Sequence, residues 1–226
     1  MTFRTLAAGL LLLAVPAARA ADNPYVLKTA ENTPGPAEVP AAIQKLLSDR
    51  CLQFSSAKGD LLVEVWLRKE VPAKATEAQV KNGLTYRELP ETTLVGVVRL
   101  ARPLSDYRKQ KVMPGVYTLR LAYQPEDGDH QGTAPHSEFC LMSPIADDKD
   151  PATMAPKSLH DLSAKSTNAH PAVLLLFPGK GATAEPKLVN KGSGHWVVLF
   201  QLEVKAANQT STLPMGLTLI GASSSA

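Results

Sequence analysis

The sequence predicts an all-β protein: a single antiparallel β-sandwich, immunoglobulin-like or jelly-roll-like, with one or two short helices. Segments with apolar residues at alternate positions recur along the chain, and glycines and prolines separate them. No regular helical crossovers lie between these segments, as an α/β fold would require. We therefore expect one domain over 41–221, with an extended segment over 21–40 before it and a disordered tail over 222–226 after it.

Residues 1–20 have the composition of a secretory signal peptide. Arg4 supplies the positive charge, an apolar run follows over 6–15, and residues 18–20 (Ala-Arg-Ala) match a cleavage site. The apolar run is too short to span a bilayer, which takes ~20 such residues. We expect an exported protein, periplasmic or extracellular, whose mature chain begins at Ala21 and has no transmembrane segment.

The mature chain is close to electrically neutral. Residues 1–20 contain two arginines and no acid, so 22 of the 24 basic residues remain against 21 acidic ones. A net charge of +1 is too small to attract a polyanion over the whole surface. Nucleic acid is therefore not an expected partner.

Hydrophobic spacing predicts each element in turn. A short helix is expected after Pro40, because Ile43, Leu46 and Leu47 share one helical face. Period-two or continuous apolar runs then predict strands, with a bulge at Gly96 in the second. The predicted strands are 61–68, 94–100, 116–124, 139–142, 172–177, 195–205 and 217–220.

Two polar segments are predicted to contain further short helices. One is 104–111, which is expected to form one or two turns between strands. The other is a polar insertion over 144–170, in which Leu159 and Leu162 share a helical face. No change in composition marks a second domain, and this insertion is the best place for a boundary.

Trp66 is predicted to lie on the face of its strand opposite to the core. Val63 and Val65 point to the core, so Trp66 points away from it together with Glu64. An exposed tryptophan can stack on a sugar ring or on a partner protein. The favoured interpretation is a covered ring, with the segment 21–40 as the cover.

The loop 126–138 concentrates potential metal ligands between two predicted strands: Asp127, Asp129, His130, His136 and Glu138. Asp127, Asp129 and Glu138 approach the spacing of a calcium loop, although Gln131 replaces an expected acid and the flanks are strands. A transition metal would use His130 and His136 with a carboxylate. A solvated turn without a ligand explains the same residues by backbone preference alone. A metal ion is thus the only cofactor that the sequence suggests.

Cys51 and Cys140 are the only cysteines. Export would allow them to form a disulfide. The alternative is two buried thiols that act as small hydrophobic side chains, since Cys140 lies inside an apolar strand. The sequence contains neither a G-x-S-x-G nucleophile motif nor a glycine-rich phosphate loop that leads into a helix.

Three stretches resemble parts of exported bacterial β-rich proteins with no named activity. They are PGVYTLRL from Pro114, QPEDGDH from Gln124 and HPAV from His170. The resemblance spans about the C-terminal two-thirds of the chain. It implies a secreted bacterial β-rich protein, and it implies no activity, cofactor or catalytic residue.

The function predicted from the sequence is that of a non-catalytic binding or accessory module, with an unknown ligand or protein partner. One alternative is a metal-binding protein that uses the loop 126–138. A second alternative is a hydrolase that combines the carboxylates of this loop with His170.

Overall fold

The computed structural model describes residues 23–124, 134–206 and 209–223. The chain is mostly β, with 46% of residues in strands and 12% in helices. The predicted signal peptide over 1–20 lies outside the described residues, as do Asp127, Asp129 and His130. Within the described ranges, none of the helices has the length and apolar character needed to cross a membrane.

The described residues form thirteen strands, three α-helices and one 3₁₀ helix. The strands are β1 (Tyr25–Ala30), β2 (Leu47–Ser56), β3 (Leu61–Arg68), β4 (Val71–Pro72), β5 (Leu94–Leu100), β6 (Leu104–Ser105), β7 (Lys111–Val112), β8 (Gly115–Tyr123), β9 (Glu138–Pro144), β10 (Ala172–Pro178), β11 (Lys187–Asn190), β12 (Trp196–Ala206) and β13 (Gln209–Ile220). The helices are α1 (Ala41–Gln44), α2 (Glu77–Asn82), α3 (Pro156–Ala164) and the 3₁₀ helix (Tyr86–Glu88).

Eleven of these strands belong to one sheet. Its order is β1-β2-β3-β5-β8-β9-β10-β13-β12-β11, and β4 adds to β12 on the side where β11 lies. All pairs along this order are antiparallel, whereas β4 pairs with β12 in parallel. Short connections join β2 to β3, β11 to β12 and β12 to β13, as antiparallel pairing allows. β6 and β7 pair only with each other.

The sheet curls into a half-barrel, so its first strands approach its last ones. Tyr25 in β1 packs edge-on against Trp196 in β12, with ring centroids 5.5 Å apart. The predicted sandwich of two sheets is therefore not confirmed, although the mostly β class is. A twisted sheet that curls on itself buries its own concave face, so a second sheet is not required for a core.

The main core fills the concave face of the sheet. Its fully buried residues come from strands far apart in the chain, such as Val65, Leu119 and Phe200. The convex face is covered in two places by other segments. Ile43 of α1 packs over β2, β3 and β5, and Leu159 of α3 packs over β8, β9 and β10. The same sheet therefore has apolar residues on both faces.

Several predicted elements are confirmed. The strands predicted at 61–68 and 94–100 are β3 and β5, and the register of β5 shifts between Leu94 and Gly96 at the predicted bulge. The helix predicted around Leu159 is α3. The helix after Pro40 is shorter than expected, because Leu47 already begins β2.

The helix predicted over 104–111 is wrong, because this segment forms the β6–β7 ladder. Asp106 explains the difference. Its carboxylate accepts hydrogen bonds from the main-chain N–H groups of Gln110 (2.7 Å) and Val173 (3.0 Å). The first bond closes the turn, and the second attaches it to β10.

Trp66 is covered, as the favoured interpretation predicted. Its ring is 2% exposed, and its Nε1 donates a hydrogen bond to the carbonyl oxygen of Thr33 at 2.9 Å. The segment that follows β1 therefore lies over the convex face of β3. At the other end of the chain, Ser223 of the predicted tail donates its main-chain N–H to Tyr107 at 2.7 Å.

Candidate functional site: a basic cleft where the sheet meets itself

Two of the five predicted metal ligands, His136 and Glu138, lie among the described residues. Oε1 of Glu138 is 3.2 Å from Nε of Arg87, so this carboxylate already has a cationic partner. His136 packs edge-on against Phe177 at 4.8 Å, and burial lowers the pKa of its imidazole. Across 23–124, 134–206 and 209–223, no three His, Cys, Asp or Glu side chains are arranged to hold a metal ion.

Cys51 and Cys140 are both free and buried, so the bridge considered from the sequence is not formed. Cys51 in β2 projects from the convex face beside Trp66, whereas Cys140 in β9 projects into the main core. Three strands separate β2 from β9, at ~4.8 Å per strand, whereas a disulfide needs Cα atoms within ~7 Å. Burial raises the pKa of each thiol to about 12, and for Cys51 the charge of Glu64 adds to this effect.

The polar insertion over 144–170 is tied to the sheet by a buried ion pair. Arg120 is fully buried in β8, and its Nε and Nη2 lie 2.7 and 2.8 Å from the two carboxylate oxygens of Asp148. Its Nη1 donates to the carbonyl oxygens of Thr92 and Ala152, each at 2.9 Å. Thr118 donates its hydroxyl to the same carboxylate at 2.5 Å. These bonds satisfy both charges inside the protein and give the pair a structural role.

The histidine of the hydrolase hypothesis lies at the surface. His170 is exposed in the turn before β10, where its main-chain N–H donates to Oε1 of Gln110 at 3.1 Å. The acids Asp127 and Asp129, which this hypothesis would combine with it, lie outside the described residues.

The described residues also enclose a cleft of about 280 Å³ between the β2–β3 end of the sheet and β12. We call it the seam cleft. Its floor is apolar and belongs to the main core: Leu52, Phe200 and Leu202 are each at most 4% exposed. Three cationic residues of β2 and the end of β3 line its wall: Arg50, Arg68 and Lys69. Glu203 is the single acidic residue among the described residues that line it.

Arg50 already holds two carboxylates at the edge of the seam cleft. Its Nε lies 2.7 Å from Oε1 of Glu31, and its Nη2 lies 2.8 Å from Oε2 of Glu185. These two partners raise the pKa of Arg50. Both carboxylates are mostly exposed, so each pair contributes only ~0–1 kcal/mol, and a competing anion could displace either one.

Arg68 offers the less satisfied guanidinium. Its Nε is buried and has no hydrogen-bond partner among the described residues. Burial lowers the pKa of Arg68, Glu70 opposes that effect, and the positive charge of Arg120 adds to it. Arginine nevertheless stays charged at any physiological pH. A buried donor without a partner costs ~1–3 kcal/mol, so the surroundings of Arg68 satisfy its guanidinium only in part.

The seam cleft also coincides with a break in the pairing of β12. β11 pairs with this strand only as far as Leu199, and β4 begins to pair with it at Val204. Among the described residues, no strand pairs with 200–203 on this edge of β12. Ala184 and Pro186, which precede β11, line the cleft instead. Proline has no N–H to donate to a neighbouring strand, which favours the departure of this segment from β12.

Comparisons of the chain with protein-family models, with curated proteins and with solved structures return no match. The function is therefore inferred from the geometry of the molecule itself.

Proposed function

We propose that this protein is an exported, non-catalytic binding module that takes an anionic ligand in the seam cleft. The observation that carries the proposal is a cleft whose wall includes Arg68 and which has Glu203 as the single acidic residue among the described residues that line it. Arg50 and Lys69 add positive charge to the same wall. A carboxylate or phosphate group is the natural partner for such a wall, because it accepts charge-assisted hydrogen bonds.

The apolar lining of the seam cleft indicates that the ligand also has an apolar part. Leu67, Ala184 and Pro186 line the same cleft and are less buried than the floor, so they offer hydrocarbon surface to a ligand. Ligand sites commonly combine such a surface with a few polar groups that fix orientation. A carboxylic acid with a short aliphatic body matches both halves of the cleft.

Binding is favoured over catalysis because of what the cleft presents. Its wall combines guanidinium and ammonium groups with a main-chain edge, and these groups hold an anion. The two thiols, the strongest nucleophiles of the chain, are buried elsewhere with pKa values raised to about 12.

Calorimetric titration with hexanoate tests the proposal, and hexanol is the matched uncharged probe. We expect hexanoate to bind with one site per chain and hexanol to bind at least tenfold more weakly. Rising salt should weaken hexanoate binding, because the cations are partly exposed. Equal binding of the two probes, or no binding of hexanoate at millimolar concentration, would contradict the proposal.

A further inference from the structure

We infer that the ligand of the seam cleft is an extended peptide segment with a carboxylate side chain, which pairs through its main chain with the open edge of β12. This inference rests on the proposed function and adds the class of ligand. It is carried by the position of the cleft in the sheet, which a small-molecule anion would not require.

The open edge has its main-chain groups directed at the cleft. Ala73 donates its N–H to the carbonyl oxygen of Lys205 at 2.9 Å, which identifies the edge toward which Lys205 points. Successive residues of a strand direct their N–H and C=O groups to alternate edges. Gln201, four positions before Lys205, therefore directs its main-chain groups to the same edge, in the middle of the unpaired stretch 200–203.

A peptide strand at this place would extend the pairing that β11 and β4 make with β12 on either side of it. β11 pairs with β12 up to Leu199, and β4 pairs with it from Val204. A peptide of about four residues fills the interval, since strands rise ~3.3 Å per residue and pair one residue with one. Main-chain pairing of this kind supplies affinity, while side chains at alternate positions supply specificity.

Charge complementarity selects the chemistry of that peptide. Side chains of an added strand point alternately to the two faces of the sheet, so one set meets the apolar floor and the other does not. Arg50, Arg68 and Lys69 stand across the cleft from β12, within its wall. An acidic side chain in the peptide can reach them, as Glu185 of the neighbouring segment already reaches Arg50.

The experiment uses the whole protein and an acetylated, amidated pentapeptide of sequence TVEVT. Two controls match it: TVQVT, which lacks the carboxylate, and TVEVT with its central three amide nitrogens methylated, which lacks three of its main-chain donors. We expect TVEVT to bind at least tenfold more tightly than hexanoate. We expect each control to lose at least tenfold relative to TVEVT.

A pair of variants tests the edge of β12 itself. Gln201→Pro removes the main-chain N–H that faces the cleft, and Gln201→Ala changes only the side chain. We expect the proline variant to lose TVEVT binding and keep hexanoate binding, while the alanine variant keeps both. Should the proline variant fail to fold, the methylated peptide decides the question on the unaltered protein.

The outcomes separate this inference from the proposed function. Binding of hexanoate together with equal binding of TVEVT and its methylated form would overturn the peptide inference and leave the proposed function standing. Failure of both hexanoate and TVEVT to bind would overturn both.

Discussion

Arg50 in β2 donates a hydrogen bond from Nη2 to Oε2 of Glu185 at 2.8 Å. This bond joins one end of the sheet to the segment that precedes β11 at the other end. The two residues are 135 positions apart in the chain. Their contact lies at the mouth of the seam cleft, where the curled sheet approaches itself. It connects the architecture of the half-barrel to the site proposed for binding.

Removal of this carboxylate should improve ligand binding. In Glu185→Gln, Arg50 loses one of its two anionic partners and becomes free to bind a ligand carboxylate. We expect the affinity for hexanoate to rise by about two- to fivefold, the size of an exposed ion pair. Calorimetric titration measures the change. As a control, Asp60→Asn removes an exposed partner of Arg102 outside the cleft and should leave the affinity for hexanoate unchanged. An unchanged affinity in Glu185→Gln would contradict the idea that Glu185 competes with the ligand for Arg50.

The buried ion pair should be necessary for stability. Asp148→Asn leaves the guanidinium of Arg120 buried without a charged partner, which typically costs ~3–5 kcal/mol in the free energy of unfolding. Asp147→Asn is the matched control, because Asp147 pairs with Lys165 at the surface and should change the free energy by ~0–1 kcal/mol. Urea unfolding followed by circular dichroism measures both. Equal losses of unfolding free energy in the two variants would contradict a larger contribution of the buried pair to stability.

Gly96 should not accept a side chain. A Cβ atom at this position would lie 2.4 Å from the main-chain oxygen of Trp66, where β5 pairs with β3. We expect Gly96→Ala to lower the free energy of unfolding by ~1–3 kcal/mol through overpacking of the two strands. At Gly115 the nearest atom is 3.4 Å away and belongs to the ring of Tyr117, so Gly115→Ala should cost less. Thermal unfolding distinguishes the two, and a similar melting temperature for both variants would contradict the close approach.

The cysteines should be unreactive in the folded protein. Because burial raises both pKa values to about 12, the thiols stay protonated at pH 8, and we expect neither to react with a thiol-specific disulfide reagent until the chain unfolds. Two thiols should then react in urea without prior reduction. A reduction requirement would indicate the disulfide instead.

The same pKa shift makes stability depend on alkaline pH. A thiol with an unfolded pKa near 9 and a folded pKa of about 12 loses its proton first in the unfolded chain. The contribution of each thiol to stability is therefore complete below pH 9 and is lost as the pH rises toward 12. In Cys140→Ala, the alkaline fall in the free energy of unfolding should be smaller than in the unaltered protein, and an identical fall would count against this linkage.

The sequence predicts a strand well where the apolar residues within that strand form a clear β-type pattern. β3, β5 and β10 have β-branched or alternating apolar residues, and each lies where predicted. β2 was not predicted, because its buried residues alternate with polar ones only in part and a bulge interrupts its pairing with β3. Its buried residues lie on both faces of the sheet, with Cys51 in the cluster under α1 and Leu52 and Phe54 in the main core, so no simple alternation marks this strand.

The curl of the sheet and the seam cleft depend on contacts between distant segments. Arg120 is one residue whose burial the sequence does not predict. Alternation in β8 places it on the face opposite to the main core, where an arginine is expected to be exposed. Asp148, from a later segment, pairs with it and covers it instead. Arg50, Arg68 and Glu185 likewise become one site only when β2 and β12 approach each other. The loop 126–138 was conspicuous in sequence because its ligand types are contiguous, and the cleft residues are not.

The most direct measurement of the proposed binding role is the affinity of Arg68→Ala for hexanoate, compared with the unaltered protein and with Arg102→Ala. Arg102 is exposed and lies outside the seam cleft, so its variant controls for the loss of one positive charge. We predict that Arg68→Ala binds hexanoate at least about tenfold more weakly, as expected for a charge-assisted hydrogen bond, while Arg102→Ala binds it unchanged. Equal affinities in all three proteins would contradict an anion site in the seam cleft.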